Sequence, residues 1–101
     1  MLKTKLKNLT WRIYVLENYT LKKRYIGITS KEIIDRIAFA HAKGLTKILY
    51  DESWDWDNDI IKYYQYGWSK DKSIASQRAH NLEYEFASKE YTWETYLTRG
   101  L

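Results

Sequence analysis

Near the start of the chain two short runs flank the polar turn "NYTLK", and each carries a tyrosine: Ile13-Tyr14 before it and Tyr25-Ile26-Gly27 after it. A phenol in such a place can orient or deprotonate a water molecule once nearby cations depress its pKa from about 10. Lys22, Lys23 and Arg24 immediately precede Tyr25, and Arg12 lies two residues before Tyr14. Charge is unevenly divided along the whole sequence. Residues 1 to 49 carry eleven Lys or Arg against three acids, a balance of +8, whereas residues 50 to 101 carry six against ten, a balance of −4. The first part therefore has the character of a phosphate-contacting surface and, equally, of a merely solvated basic face.

The elements that would position these groups follow from patterning. Residues 10 to 17 and 23 to 28 are rich in β-branched and aromatic types and predict a β-hairpin. A four-residue loop at Asn18 to Leu21 places Tyr14 directly opposite Tyr25 and Arg12 opposite Gly27, with Ile13, Val15, Ile26 and Ile28 on the other face. On geometry alone, a phenol pair of this kind serves packing as well as chemistry. The period then changes. "TSKE" supplies a Thr29-x-x-Glu32 capping box, and positions 33, 34, 37, 40 and 41 recur at helical spacing until Gly44. Residues 59 to 67 predict a third strand. "SKDKSIASQRAHNLEYEFASKE" predicts a second long helix with Ala75, Ala79, Leu82 and Phe86 on one stripe. Residues 45 to 58 and the tail "YTWETYLTRGL" stay unassigned. The expected class is α+β, a small three-stranded antiparallel sheet flanked by helices in the order β-β-α-β-α, within a single domain over residues 1–101.

The run "RIYVLENYTLKKRYIGITSKEIIDRI" resembles the GIY-YIG nuclease superfamily: Ile13-Tyr14 stands for the first motif, Tyr25-Ile26-Gly27 for the second, and Arg36 for the arginine of the first helix. Further on, Ala79 and Glu83 in "RAHNLEYEF" match the small residue and metal-binding glutamate of a later helix, with Glu90 as a rival two turns on. The resemblance spans roughly residues 11 to 90. It implies a metal-dependent endonuclease that hydrolyses DNA phosphodiester bonds with Mg²⁺ or Mn²⁺. Tyr14 and Tyr25 would surround the water, Arg36 would bind the phosphate and Glu83 the metal, with Gly27 in support; His41, displaced onto the apolar face of its helix, is read first as a satisfied core histidine and second as a supporting residue. Arg12, Lys22, Lys23, Arg24 and Lys43 would contact nucleic acid. The chemistry suits the residue types, because a guanidinium fork matches phosphate oxygens and a single carboxylate can hold Mg²⁺ when water and substrate complete the shell. Stand-alone miniature members of this family resemble phage or mobile-element products.

The sequence departs from the pattern at three places. Arg12 replaces the first motif's glycine, Ala40 stands where a histidine often follows the arginine, and Leu97 follows Tyr96 where an asparagine is usual. These departures motivate an alternative: a catalytically weakened relative that binds nucleic acid or another protein.

Composition narrows the remaining classes. With 45% apolar and 17% aromatic residues the chain is expected to pack a globule, despite 30% charged ones. No apolar run approaches the ~20 residues of a membrane span, and the start lacks a signal-peptide core, so a cytoplasmic, unprocessed protein is expected. Cysteine is absent, which excludes disulfides and thiolate metal sites. His80, next to Ala79, is expected to be an exposed or partly packed side chain rather than a ligand. The acidic loop over residues 51–59, with Trp54 and Trp56 among Asp51, Glu52, Asp55, Asp57 and Asp59, is expected to bury its indoles; any partner it engages would be a basic protein surface rather than DNA.

Overall fold

The computed structural model describes residues 9–42, 53–89 and 92–97. Strands β1 (Trp11–Asn18) and β2 (Lys23–Thr29) form the expected hairpin, followed by helix α1 (Ile33–Ala42), strand β3 (Ile61–Ser69), helix α2 (Lys72–Lys89) and strand β4 (Glu94–Leu97). The sheet is four-stranded and mixed, in the order β3-β1-β2-β4, with β4 parallel to β2 and the other pairings antiparallel. The α+β class is observed, whereas the expected three-stranded antiparallel sheet gives way to this one. The unassigned tail supplies the fourth strand, too short at four residues for its period to be read.

The hairpin register differs from expectation in an instructive way. Tyr14 faces Gly27, Leu16 faces Tyr25 and Arg12 faces Thr29. The loop is Tyr19 to Lys22 rather than Asn18 to Leu21. Asn18 stays in the strand and its side-chain Oδ1 accepts a hydrogen bond from the Leu21 amide at 3.0 Å, while Lys22 closes the turn in the left-handed region at φ 56°. The displacement is two residues, so side-chain faces are preserved: both phenols still leave the same side of the sheet, offset rather than opposed.

Each face of the β1–β2 pair carries its own core. On one, Tyr14, Leu16 and Tyr25 are buried with Ile33 and Ile37 of α1 and with Trp54. On the other, Ile13, Val15, Ile26 and Ile28 are buried with Ala75, Ala79 and Leu82 of α2, the stripe that helical spacing predicts. Strand alternation therefore puts α1 and α2 on opposite sides of the sheet. Helix α2 is capped by Asp71, whose Oδ1 accepts the Ser73 amide at 2.8 Å. Helix α1 begins later than the expected capping box: Thr29 Oγ1 accepts the Lys31 amide in a local turn, and the first helical bond runs from the Arg36 amide to the Glu32 carbonyl. No helix among the described residues is long and apolar enough to cross a membrane.

Candidate functional site

Tyr14 and Tyr25 share one layer but not one opening. They are 1% and 5% exposed, covered by Ile33 and Ile37 of α1 and by the indole of Trp54, whose ring meets that of Tyr25 edge-on at 5.2 Å between centroids. Gly27 is the reason Tyr14 can lie where it does. A Cβ built at Gly27 would stand 2.5 Å from Tyr14 Cζ and 2.6 Å from its hydroxyl, so the phenol crosses β2 through the space that only glycine leaves. The opening expected to receive Arg12 is thus occupied by Tyr14. Arg12 instead turns to the segment just before α1, with Nη2 3.0 Å from Glu32 Oε1.

Arg36 is half-buried on α1, in the layer that covers the tyrosines. Glu83 is half-buried on α2, beside Leu82 and therefore over the aliphatic face of the sheet. A divalent ion held by Glu83 would have the sheet between it and both phenols. So seated, Glu83 does not fit a metal that shares one phosphate with Tyr14 and Tyr25. His80 is exposed on α2. The side chains of Ala40 and His41, and the whole of Lys43 and Glu90, lie outside the described residues, as do Asp51 and Glu52.

The cations expected to contact nucleic acid divide in the same way. Arg24 is enclosed: its Nε is 2.9 Å from Glu17 Oε2, and its guanidinium lies 4.0 Å from the Phe86 ring centroid and 4.7 Å from that of Trp93. A guanidinium so paired and stacked has no face left for a phosphate; it fastens β1, β2 and α2 to the start of β4. Lys23 Nζ donates to Ser53 Oγ at 3.1 Å, and Lys22 is exposed at the hairpin turn.

The acidic loop is bound into the molecule. Asp55 accepts the Asp57 and Asn58 amides and the Asn58 side-chain amide. The Asn58 side chain first, and the Asp57 amide next, hold its carboxyl below the ordinary aspartate value. Asp59 Oδ2 accepts from Asn18 Nδ2 and from the Asp55 amide, each at 2.9 Å, tying the loop to the hairpin. Trp54 is buried and Trp56 half-buried against the tyrosine-side core, in line with the expectation of a solvated acidic loop with buried indoles.

A second constellation gathers at the far end of the sheet, and sequence reasoning missed it. Arg12 and Trp68 are cross-strand partners, and with Thr10, Gln65 and Lys70 they line a recess. Trp68 and Lys70 also line a neighbouring recess with Gly67, Ser69 and Arg78, so the two meet across the end of β3. Arg78 Nη1 donates to the Trp68 carbonyl at 3.0 Å, and Lys72 Nζ stands 4.9 Å from the Trp11 ring centroid. Among the described residues, neither Lys70 nor Lys72 has a carboxylate partner. The cations come from β1, the β3–α2 turn and α2, which is why no run of basic residues marks them. Compared with models of protein families, with curated proteins and with solved structures, the chain matches none.

Proposed function

We propose that the chain is a nucleic-acid-binding module on a GIY-YIG-like hairpin, weakened or silent as a nuclease. The observation that carries this reading is the joined recess at the end of β3, where Arg12, Lys70 and Arg78 stand around Trp68, with Lys72 over the Trp11 ring at the start of β1. Lysine and arginine supply a sequence-independent attraction to phosphates, and the exposed indole of Trp68 offers a flat surface to a base. Hydrolysis of DNA by Tyr14, Tyr25, Arg36 and Glu83 with Mg²⁺ or Mn²⁺ requires those groups in one open cleft. The burial of both phenols and the seat of Glu83 across the sheet favour binding over that chemistry. Capture of a basic protein by the acidic loop is disfavoured because Asp55 and Asp59 already accept internal hydrogen bonds.

Fluorescence anisotropy with labelled oligonucleotides tests the proposal. Binding is expected at low salt and should weaken steeply as salt rises. The double variant Lys70→Ala/Lys72→Ala should lower affinity about tenfold and flatten the salt slope by roughly one for each phosphate that is no longer neutralised. Lys89→Ala, which removes a lysine already paired with Glu85, should change neither. Absence of binding at low salt, or binding indifferent to the double variant, would overturn the proposal.

A further inference from the structure

We infer that the preferred ligand is single-stranded nucleic acid, its bases stacked on the exposed rings of β3; this rests on the nucleic-acid reading above and specifies its substrate. Strand β3 is an edge, pairing only with β1. Its sequence "IKYYQYGWS" holds no carboxylate, and its four large aromatic residues, Tyr63, Tyr64, Tyr66 and Trp68, are 39 to 54% exposed. Both helices bury their apolar faces chiefly against β1 and β2; Ile61 of β3 joins the tyrosine-side core, while these four rings stay exposed. Exposed rings on both faces of one strand, Tyr64 and Tyr66 on the α2 side and Tyr63 and Trp68 on the other, are the kind of aromatic surface that marks a binding site.

Geometry and charge select the ligand. Tyr64 pairs with Val15 and Tyr66 lines a recess with Leu82 and Arg78, so both rings open on the α2 side. The bulge at Tyr66 leaves two residues of β3 opposite one of β1 and turns its ring to the side that Tyr64 faces, so a base can lie against either ring. Lys62 stands at one end of the aromatic run, and Lys70 and Arg78 stand at the other, in reach of a backbone that follows the strand. A duplex hides the faces of its bases and offers these rings only edges. A second copy pairing edge to edge is disfavoured by the bulge at Tyr66, which falls between the Tyr14–Gln65 and Ile13–Gly67 pairs, and by Lys62 on the edge itself.

The test compares one labelled oligonucleotide as a single strand and as a duplex, by anisotropy, with folding of each variant checked by circular dichroism. The single strand should bind about tenfold more tightly. Tyr64→Ala and Tyr66→Ala should each lower single-strand affinity about fivefold or more and leave duplex affinity unchanged, with Tyr66→Phe restoring it because the ring suffices. Equal affinity for the two forms, or ring variants without effect, would overturn this inference and leave nucleic-acid binding standing. Failure of both forms to bind would remove both. Sedimentation showing a dimer that Tyr64→Ala/Tyr66→Ala dissociates, with oligonucleotide affinity unchanged, would overturn it and assign the edge to a second copy.

Discussion

At the scale of single residues, the contact between Tyr14 and Gly27 decides most. The phenol fills the volume of the missing side chain, and its 1% exposure leaves it nowhere to retreat. Gly27→Ala is therefore expected to cost about 1–3 kcal/mol of stability through overpacking. Tyr14→Ala, which empties a buried site, should cost about 3–5 kcal/mol. In the Tyr14→Ala background the added methyl at Gly27 should be nearly free, giving a coupling of at least about 1 kcal/mol in urea denaturation; additive losses would show that the two do not compete for one space. That Tyr14 and Gly27 share a face of the hairpin was legible in the sequence, with Gly27 as an open position. The occupant of that opening was not, because naming it requires the register.

The elements show why the register was the weak point. Period-2 patterning separated Ile13, Val15, Ile26 and Ile28 from the tyrosines correctly, since a slip of two residues exchanges partners without exchanging faces. The turn was settled by two local events that composition does not announce, the Asn18 side chain bonding to Leu21 and the left-handed backbone of Lys22. The same slip concealed the Arg24–Glu17 pair, which face each other only in the observed register. It made Arg24 look like a surface cation when it is 4% exposed. Removing Glu17 would strand that charge between Phe86 and Trp93, so Glu17→Ala is expected to destabilise by about 3–5 kcal/mol. Glu17→Ala/Arg24→Met should recover much of the loss in thermal denaturation, and a single variant as stable as wild type would refute the clasp. Strand β3 misled in the opposite direction: its tyrosines and tryptophan signalled a strand, but nothing in their spacing distinguished an exposed edge from a buried one.

Across the whole molecule, the sheet acts as a partition. Tyr14, Tyr25 and the helix that bears Arg36 occupy one side, while Glu83 sits with Ala79 and Leu82 on the other. The sequence resemblance could align four residue types along the chain, yet helical phase says which stripe a residue borders, not which side of the sheet that stripe will cover. Plasmid incubated with the protein and Mg²⁺ or Mn²⁺ is accordingly expected to remain unnicked. Nicking abolished by both Tyr14→Phe and Glu83→Ala, in variants that still fold, would restore the endonuclease reading. Partition has a further consequence in time. The parallel strand β4 pairs Glu94 with Lys23 and Leu97 with Ile26, joining segments about 70 residues apart, whereas the hairpin closes over four. Loop-closure entropy makes local pairings early and distant ones late. The hairpin can form while the chain is still being synthesised, but the outer edge of β2 stays open until residue 97 has been made, and that edge is where a nascent chain is most exposed to mispairing.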